Sequence, residues 1–254
     1  MKILGRIATA LAVLASSATF ARAAEINVYS TIAMRGALEQ LVPLFQHESG
    51  QTLALTWGTA AMLTKRIEAG EPADVAILTR ENIDSLSKAG KVAPGADVTL
   101  AQSSIAIAVK IGAAKPDIST ADALKQALLA AKSIAYSNPT SGGASGVYFA
   151  KLLERLGIAD QMQAQTKFPP PGGNSAGLLI SGEAELAVQQ KPELISVPGI
   201  DIAGLLPPDL NKVTAFAAGV AADSKNADAA KALIKFLQSP EAVKVLKASG
   251  FDTD

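Results

Sequence analysis

No cysteine occurs in the 254 residues, which excludes a disulfide framework, a thiolate nucleophile and a lipid-modified N-terminal cysteine in one step. Histidine is almost as scarce. A single His47 excludes zinc sites built on several imidazoles, and a Ser-His-Asp triad unless His47 itself serves in it. Its setting in "LFQHESG", near the end of an amphipathic stretch that Gly50 stops, reads as a solvated helix terminus. Net charge is also absent. With 23 basic and 23 acidic residues in balance, the chain offers no basic surface, and no nucleic-acid partner is expected. Charged residues at 18% against hydrophobic ones at 49% exclude a disordered or coiled-coil chain and leave a globular α/β protein of one large unit or two lobes.

Long apolar runs are missing too, apart from the first residues. In "MKILGRIATALAVLASSATFARAA", Lys2 and Arg6 precede an apolar run that ends in Ala21-Arg22-Ala23, the small-x-small pattern of a secretory cleavage site. Residues 1–23 are therefore expected to be a signal peptide, cleaved near Ala23 to release a periplasmic protein. The apolar core, Ile7 to Leu14, is short for a membrane span, and strand-like sequence begins at Glu25. No later stretch is long enough to cross a bilayer, so no membrane anchor is expected. Without Lys2, Arg6 and Arg22 the chain has three fewer basic residues than its 23 acidic ones, a mildly acidic balance that anionic lipid would not attract.

After the signal, apolar strands and amphipathic helices alternate. "INVYS", "TLALT" and "DVAIL" are each followed by a helical stretch, at Met34–Glu48, Met62–Ala69 and Glu81–Ala89. A long strand, "SSIAIAVK", comes next, and Ser119-Thr120-Ala121-Asp122 reads as a capping box opening another helix. Alternation resumes with "SIAYS", a helix, "MQAQTKF", a short helix after Asn174, and "ELAVQQ". Another long strand, "KVTAFAAGVAAD", precedes two terminal helices, the second opened by Ser239 and Pro240. Strand-helix alternation predicts mostly parallel sheets flanked by helices, one per lobe. The lobes are expected to span residues 24–104 with 214–254, and 105–213, joined by two hinge strands near Ser103–Ile105 and Val213–Ala215.

Glycine and small hydroxylated residues concentrate where strands give way to helices. "YSNPTSGGASGVYFAKLLERLG", Tyr136 to Gly157, places a glycine-rich bend just before a helix, where free N–H groups attract anions. It is not a nucleotide loop. Gly146 is followed by Val147 and Tyr148 instead of Lys and Ser or Thr, and the dinucleotide spacing and the nucleophile elbow are both absent. An anion cradle using Ser137, Thr140, Ser141 and Ser145, and an ordinary helix cap, both fit the stretch. Four such junctions recur: Ser30-Thr31, Gly58-Thr59-Ala60-Ala61, Ser137 through Gly146, and Gly172-Gly173-Asn174-Ser175. In open parallel sheets ligands collect at the carboxyl ends of strands, so two junctions per lobe predict a binding cleft.

Two longer segments carry a family likeness: "LTKRIEAGEPADVAI" and "SGVYFAKLLERLG". Over essentially the whole mature chain the sequence resembles the periplasmic molybdate-binding proteins of ABC transporters, of the two-lobed type II periplasmic binding protein fold. The resemblance implies capture of a small anion between lobes by amides, hydroxyls and a tyrosine, with no cofactor and no metal in the protein. It also implies a transporter permease as partner and a monomeric state. The ligand-binding set expected from the junctions and the resemblance is Ser30, Thr31, Gly58, Thr59, Ala60, Ser141, Gly143, Ala144, Ser145, Asn174, Gln190 and Lys191. The sequence departs from the family at Ala33, which stands for a ligand serine, and at Gln190, which stands for the tyrosine, with Lys191 beside it. These departures leave a small carboxylate as well as an oxyanion within the expectation.

Two functions follow. One is a binding protein that closes on an anion and presents it to a permease. The other is an exported aconitate isomerase, which the same resemblance includes and which moves an allylic proton. That chemistry needs a proton acceptor near a carboxylate. Tyr29, Tyr136, Tyr148 and Lys191 are the titratable residues near the junctions, no carboxylate pair is evident, and Asp74 reads as a structural cap. Basic residues near the junctions, Arg35, Lys65, Arg66, Arg80 and Lys191, are the available cations for a carboxylate ligand.

Overall fold

The computed structural model describes residues 25–170 and 172–253; the expected signal peptide and its cleavage site lie outside them. The chain opens with β1 (Glu25–Thr31), α1 (Arg35–Ser49), β2 (Thr52–Gly58), α2 (Ala60–Glu68), β3 (Val75–Thr79) and α3 (Arg80–Lys88). Their boundaries follow local chemistry. Gly50 ends α1 at φ 69, a left-handed position that suits glycine. Thr59 and Thr79 cap α2 and α3, their side chains accepting from Met62 N and Asn82 N. β4 (Val92–Ser103) and β5 (Ile105–Lys110) follow, then α4 (Ala121–Ala130), β6 (Ile134–Tyr136), α5 (Ala144–Arg155), α6 (Ala159–Gln163) and β7 (Thr166–Lys167). The chain continues through α7 (Ala176–Ser181), β8 (Leu186–Gln190), α8 (Lys191–Ile195) and β9 (Ile200–Leu205) before returning as β10 (Thr214–Ala221), α9 (Ala227–Leu237) and α10 (Pro240–Ala248). Among the described residues no helix is long and apolar enough to cross a membrane.

Two five-stranded sheets form, ordered β2-β1-β3-β10-β4 and β7-β6-β8-β5-β9. The two orders are equivalent. In the first, β1 pairs in parallel with β2 and β3, and β10 is antiparallel to β3 and β4. In the second, β6 pairs in parallel with β7 and β8, and β5 is antiparallel to β8 and β9. Four strands of each sheet thus run one way and one runs against them. The reversed strand is in each case the one that has just crossed from the other lobe.

Alternation along the strands divides each sheet into two buried faces. Ile26, Val28, Val75 and Ile77 face a core with α1, α9 and α10, while Tyr29, Ala76 and Leu78 face α2 and α3. In the second sheet Ile105, Ile107, Ile134 and Val188 pack against Phe149 and Leu152 of α5. The opposite face is built from Ala106, Ala108, Ala135 and Ala187, and these short side chains let the brief helices α7 and α8 lie close to the strands.

Four elements differ from the sequence expectation. "SSIAIAVK" is divided, because Ser103 ends β4 in one sheet and Ile105 begins β5 in the other. β4 itself is masked in the sequence by Pro94-Gly95, which an edge strand tolerates because its outer N–H groups need no partner. "MQAQTKF" contributes only Thr166–Lys167 to a strand, since Met162 is buried on the short helix α6. β9, "IDIAGL", is an edge strand whose Asp201 and Gly204 interrupt its apolar signal.

The lobes are connected at Ser103–Ile105 and at residues 206–213. Asn211 ties the two crossings together: Ile105 N donates to its Oδ1 at 3.1 Å, and its Nδ2 donates to Leu206 O at 3.2 Å. The C-terminal tail adds a strap, with Asp252 and Gln102 exchanging backbone bonds of 2.7 and 2.8 Å.

Gly146 makes the closest backbone approach near the crossing of β6 into α5. A Cβ there would lie 2.0 Å from Ser137 O and 2.8 Å from Ser137 C. Gly146→Ala must therefore displace the Ser137 backbone, and we expect it to lower the unfolding free energy by about 1–3 kcal/mol, measured by urea titration, where Ala144→Gly perturbs no such contact.

Candidate functional site

The carboxyl ends of the parallel strands in both sheets open onto one cavity of about 60 Å³. From the first lobe come Thr31 at the end of β1 and Ala33 beyond it, Gly58 at the end of β2 with Thr59 and Ala60 after it, and Thr79 at the end of β3. The second lobe supplies Ser137 and Asn138 after β6, Ser141, Gly143, Ala144 and Ser145 at the start of α5, Pro169, Pro170, Gly172 and Gly173, and Gln189, Gln190 and Glu193. Phe216 of β10 forms part of the floor.

Most residues expected from the junctions meet here. Thr31, Gly58, Thr59, Ala60, Ser141, Gly143, Ala144, Ser145 and Gln190 all line the cavity, whereas Ser30, Asn174 and Lys191 lie outside its lining. Ser30 is fully buried and its hydroxyl donates to Thr31 O. Asn174 is turned to structure: its Nδ2 donates to the Glu193 carbonyl and its Oδ1 accepts from Ala176 N. Lys191 runs its stem past Gly250, on the side of the lobe against the end of α10.

The donors that remain free are mainly backbone. The first intrahelical bond of α5 runs from Val147 N to Gly143 O, so the N–H groups of Ala144, Ser145 and Gly146 have no partner within the helix. In α2 the corresponding bond is Leu63 N to Thr59 O, with Met62 N on the Thr59 hydroxyl, which leaves Ala60 and Ala61. Helix starts from both lobes thus bring positive dipole ends to one void. Two side chains add capacity, since Thr31 Oγ1 and Gln190 Oε1 are buried with no protein partner. Gln190 Nε2 donates to Thr214 Oγ1 at 2.9 Å. Because that hydroxyl donates as readily as it accepts, the amide can turn either atom toward a ligand.

Thr59 does not offer its hydroxyl to the cavity. Its Oγ1 accepts from Met62 N at 3.3 Å and donates across the cleft to Ser141 O at 2.7 Å. The bond joins the lobes. At the same place an added Cβ on Gly142 would meet Ala61 Cβ at 2.7 Å, so only glycine allows the two bends to come this near.

Among the described residues no lysine or arginine lines the cavity. Arg35 stacks over Trp57 at 5.0 Å, Arg66 pairs with Glu71 and stacks over Tyr29, and Arg80 pairs with Asp84 and Asp97. Tyrosines are likewise engaged elsewhere. Tyr29 donates to Glu71, Tyr148 donates to Leu210 O, and Tyr136 packs edge-on between Phe149 and Phe168.

The titratable group that does reach the cavity is Glu193, which the sequence alone does not single out. It occupies the third position of α8 and bonds back to the Gln190 backbone, the geometry of a capping-box carboxylate. Gln189 Nε2 donates to its Oε1 at 2.7 Å, and the Ser175 hydroxyl and N–H both donate to Gln189 Oε1. The carboxyl is fixed by this relay and buried. Burial pushes it up to about 7, against the pull of Gln189 and the Gln190 N–H. Ile32, Thr79, the Pro169–Pro170 wall, Gln189 and Phe216 are the other lining residues that sequence reasoning missed. A threonine ending a strand and capping the next helix is the available signal for Thr79.

Two lobes joined by a double crossing of the chain, with helix starts converging on an interlobe void, define a solute-binding architecture. The chain belongs to the family of bacterial extracellular solute-binding proteins, whose profile matches residues 26–252. It is 36% identical over 232 residues to an aconitate isomerase of Pseudomonas sp., an alignment covering 89% of this chain and 86% of that protein. It is 23% identical to the molybdate-binding protein of Escherichia coli (strain K12), over 89% of this chain and 88% of that one. The periplasmic molybdate-binding protein of Azotobacter vinelandii superposes with a TM-score of 0.75 at 22% identity, covering 90% of this chain and 99% of that chain. The fold is therefore the two-lobed periplasmic binding protein fold that the sequence likeness implied.

Two outcomes follow from the geometry. Thr59→Val removes a helix cap and the interlobe bond together, lowering the unfolding free energy by about 2 kcal/mol, while Thr59→Ser keeps both; chemical denaturation of the two variants checks the difference. For Glu193 the folded state binds its proton more tightly than the unfolded state does. Its contribution to stability is complete below the ordinary carboxylate range, falls as pH rises from 4.5 to about 7, and is then constant. The loss is on the order of 3 kcal/mol, and urea titrations at pH 5 and 8 should show a smaller difference in Glu193→Gln.

Proposed function

We propose that this protein captures a small carboxylate anion, of the tricarboxylate class that includes aconitate, between its lobes. The observation that carries capture of an anion is the convergence of free helix-start N–H groups from α2 and α5 on a cavity whose lining, among the described residues, includes no cationic side chain. Micromolar capture requires about −8 kcal/mol. Hydrogen bonds to a charged group contribute roughly 1.5–3 kcal/mol each, so roughly half a dozen amides and hydroxyls are sufficient without a buried countercharge. The greater identity to the aconitate isomerase than to the molybdate-binding protein favours a carboxylate over an oxyanion. As a family member of this kind the protein is read as exported by cleavage near Ala23, monomeric, hinging between residues 24–104 with 214–254 and residues 105–213, and delivering its ligand to a permease.

A second reading is turnover, favoured by the 36% identity to an enzyme across nearly the full length of both chains. Interconversion of cis- and trans-aconitate moves one proton from the methylene carbon to the former vinyl carbon, with the electron pair spread over the three-carbon unit between. No oxidant is required. The lining of the cavity supplies one titratable carboxyl, Glu193, for such a transfer.

Thermal-shift titration of the mature chain with cis-aconitate, trans-aconitate, citrate, molybdate and sulfate tests the ligand class. We expect the tricarboxylates to raise the melting temperature by several degrees and sulfate to have no effect; stabilisation by molybdate alone would overturn the carboxylate reading. Incubation of either aconitate isomer with concentrated protein, followed by proton NMR, decides turnover, and the same spectra with no second isomer leave capture as the sole function.

A further inference from the structure

The cavity contains a contradiction that a purely electrostatic cradle does not explain. Amides and hydroxyls arranged to hold an anion share their space with an acidic side chain, Glu193. An ionised carboxylate there would face the captured charge at close range in a medium where water is largely excluded, which strengthens repulsion. A protonated carboxyl does the opposite. It has lost its charge and has an O–H to donate, as the other lining groups do.

We propose that Glu193 is a ligand-binding residue of this cleft, whose carboxyl holds a proton when the cavity is filled and donates it in a hydrogen bond to the captured anion, so that capture takes up a proton from solution. This rests on the reading of the cleft as an anion site. The geometry that supports it is independent of titration behaviour: Glu193 lines the cavity, Gln189 Nε2 occupies its Oε1, and Ser175 fixes Gln189 in turn. The carboxyl is thereby held to one orientation by Gln189 and by the Gln190 N–H at the start of α8; both partners are donors, so an O–H carried on the carboxyl is left to donate into the cavity. Its backbone is anchored as firmly, with Asn174 and Ser196 both donating to the Glu193 carbonyl.

Charges on the elements packed against α8 do not provide another explanation. The sheet neighbours β5 and β9 carry Lys110, which donates to Ile180 O, and Asp201, which accepts from Gly112 N; β8 and the Ile32–Met34 turn carry none. α1 contributes Arg35, stacked on Trp57, and Glu39, which is exposed. Lys191, on α8 itself, packs past Gly250. None of these charges figures among the causes of the raised affinity of Glu193 for its proton, which are burial opposed by Gln189 and the Gln190 backbone.

The test is isothermal titration of the mature chain with trans-aconitate and, separately, molybdate, at pH 6 and pH 8, in two buffers of different ionisation enthalpy. Wild-type protein should take up close to one proton per anion at pH 8 beyond any that the anion itself binds, and almost none at pH 6. Affinity should fall by up to tenfold for each pH unit above 7. Glu193→Gln should bind without this additional uptake and with a flatter pH profile, so that the ligand's own titration cancels in the comparison. Equal proton uptake by wild type and Glu193→Gln overturns the inference while leaving the anion site intact. Failure of both anions to bind at either pH overturns the site reading, and the inference with it. Should the variant fail to fold, carbon-13 NMR of the wild-type Glu193 carboxyl decides the same question: its titration moves upward on adding trans-aconitate or molybdate, or the proposal fails.

Discussion

The double crossing of the chain between the lobes is the constraint from which the rest of the molecule follows. β10 completes the first sheet and β5 the second, each entering antiparallel to its neighbours because it arrives from the opposite side of the hinge. The remaining strands are left running in one direction, with their carboxyl ends and the following helix starts directed at the same gap. The second sheet is built from the continuous segment 105–205, whereas the first is complete only once the chain crosses back as β10. Asn211, bonded to both crossings, keeps the paired segments in register where the chain passes between the lobes.

The cavity between the lobes is polar by virtue of backbone, with few side chains directed to a ligand. Thr59 shows how little is left over: a hydroxyl that sequence position alone assigns to a ligand is used up by a helix cap and by Ser141 of the facing lobe. Thr31 and Gln190 are buried side chains with unspent capacity, and the hydroxyls of Ser137, Ser141 and Ser145 border the same space. Against that background the buried Glu193 is unusual, because desolvation and an incoming anion both act to keep it neutral. Its second role, closing the first turn of α8, explains why an acid can persist in such a place.

Much of this is legible in the amino-acid order alone. Strand-helix alternation, the caps at Thr120 and Ser239, and the stop at Gly50 arise from interactions within a few residues, which sequence spacing records directly. The four junctions are visible for the same reason, and three of them deliver lining groups through the residues expected. The misses have longer-range causes. Pro94-Gly95 resembles a turn unless β10 is known to lie alongside only one edge of β4. Asn174 and Lys191 sit next to lining residues in sequence, but Asn174, in the bend before α7, is taken up by the Glu193 carbonyl, and Lys191, at the start of α8, is carried past Gly250. Glu193 has the local signature of an ordinary capping residue, and only tertiary burial gives it a place in the cavity.

The strap formed by Asp252 on Gln102 gives the far end of the polypeptide a mechanical position. It lies along β4, one residue before the chain leaves for the other lobe. A dye or fusion partner attached after Asp252 would therefore be seated beside the Ser103–Ile105 crossing, where its surroundings include the start of the other lobe.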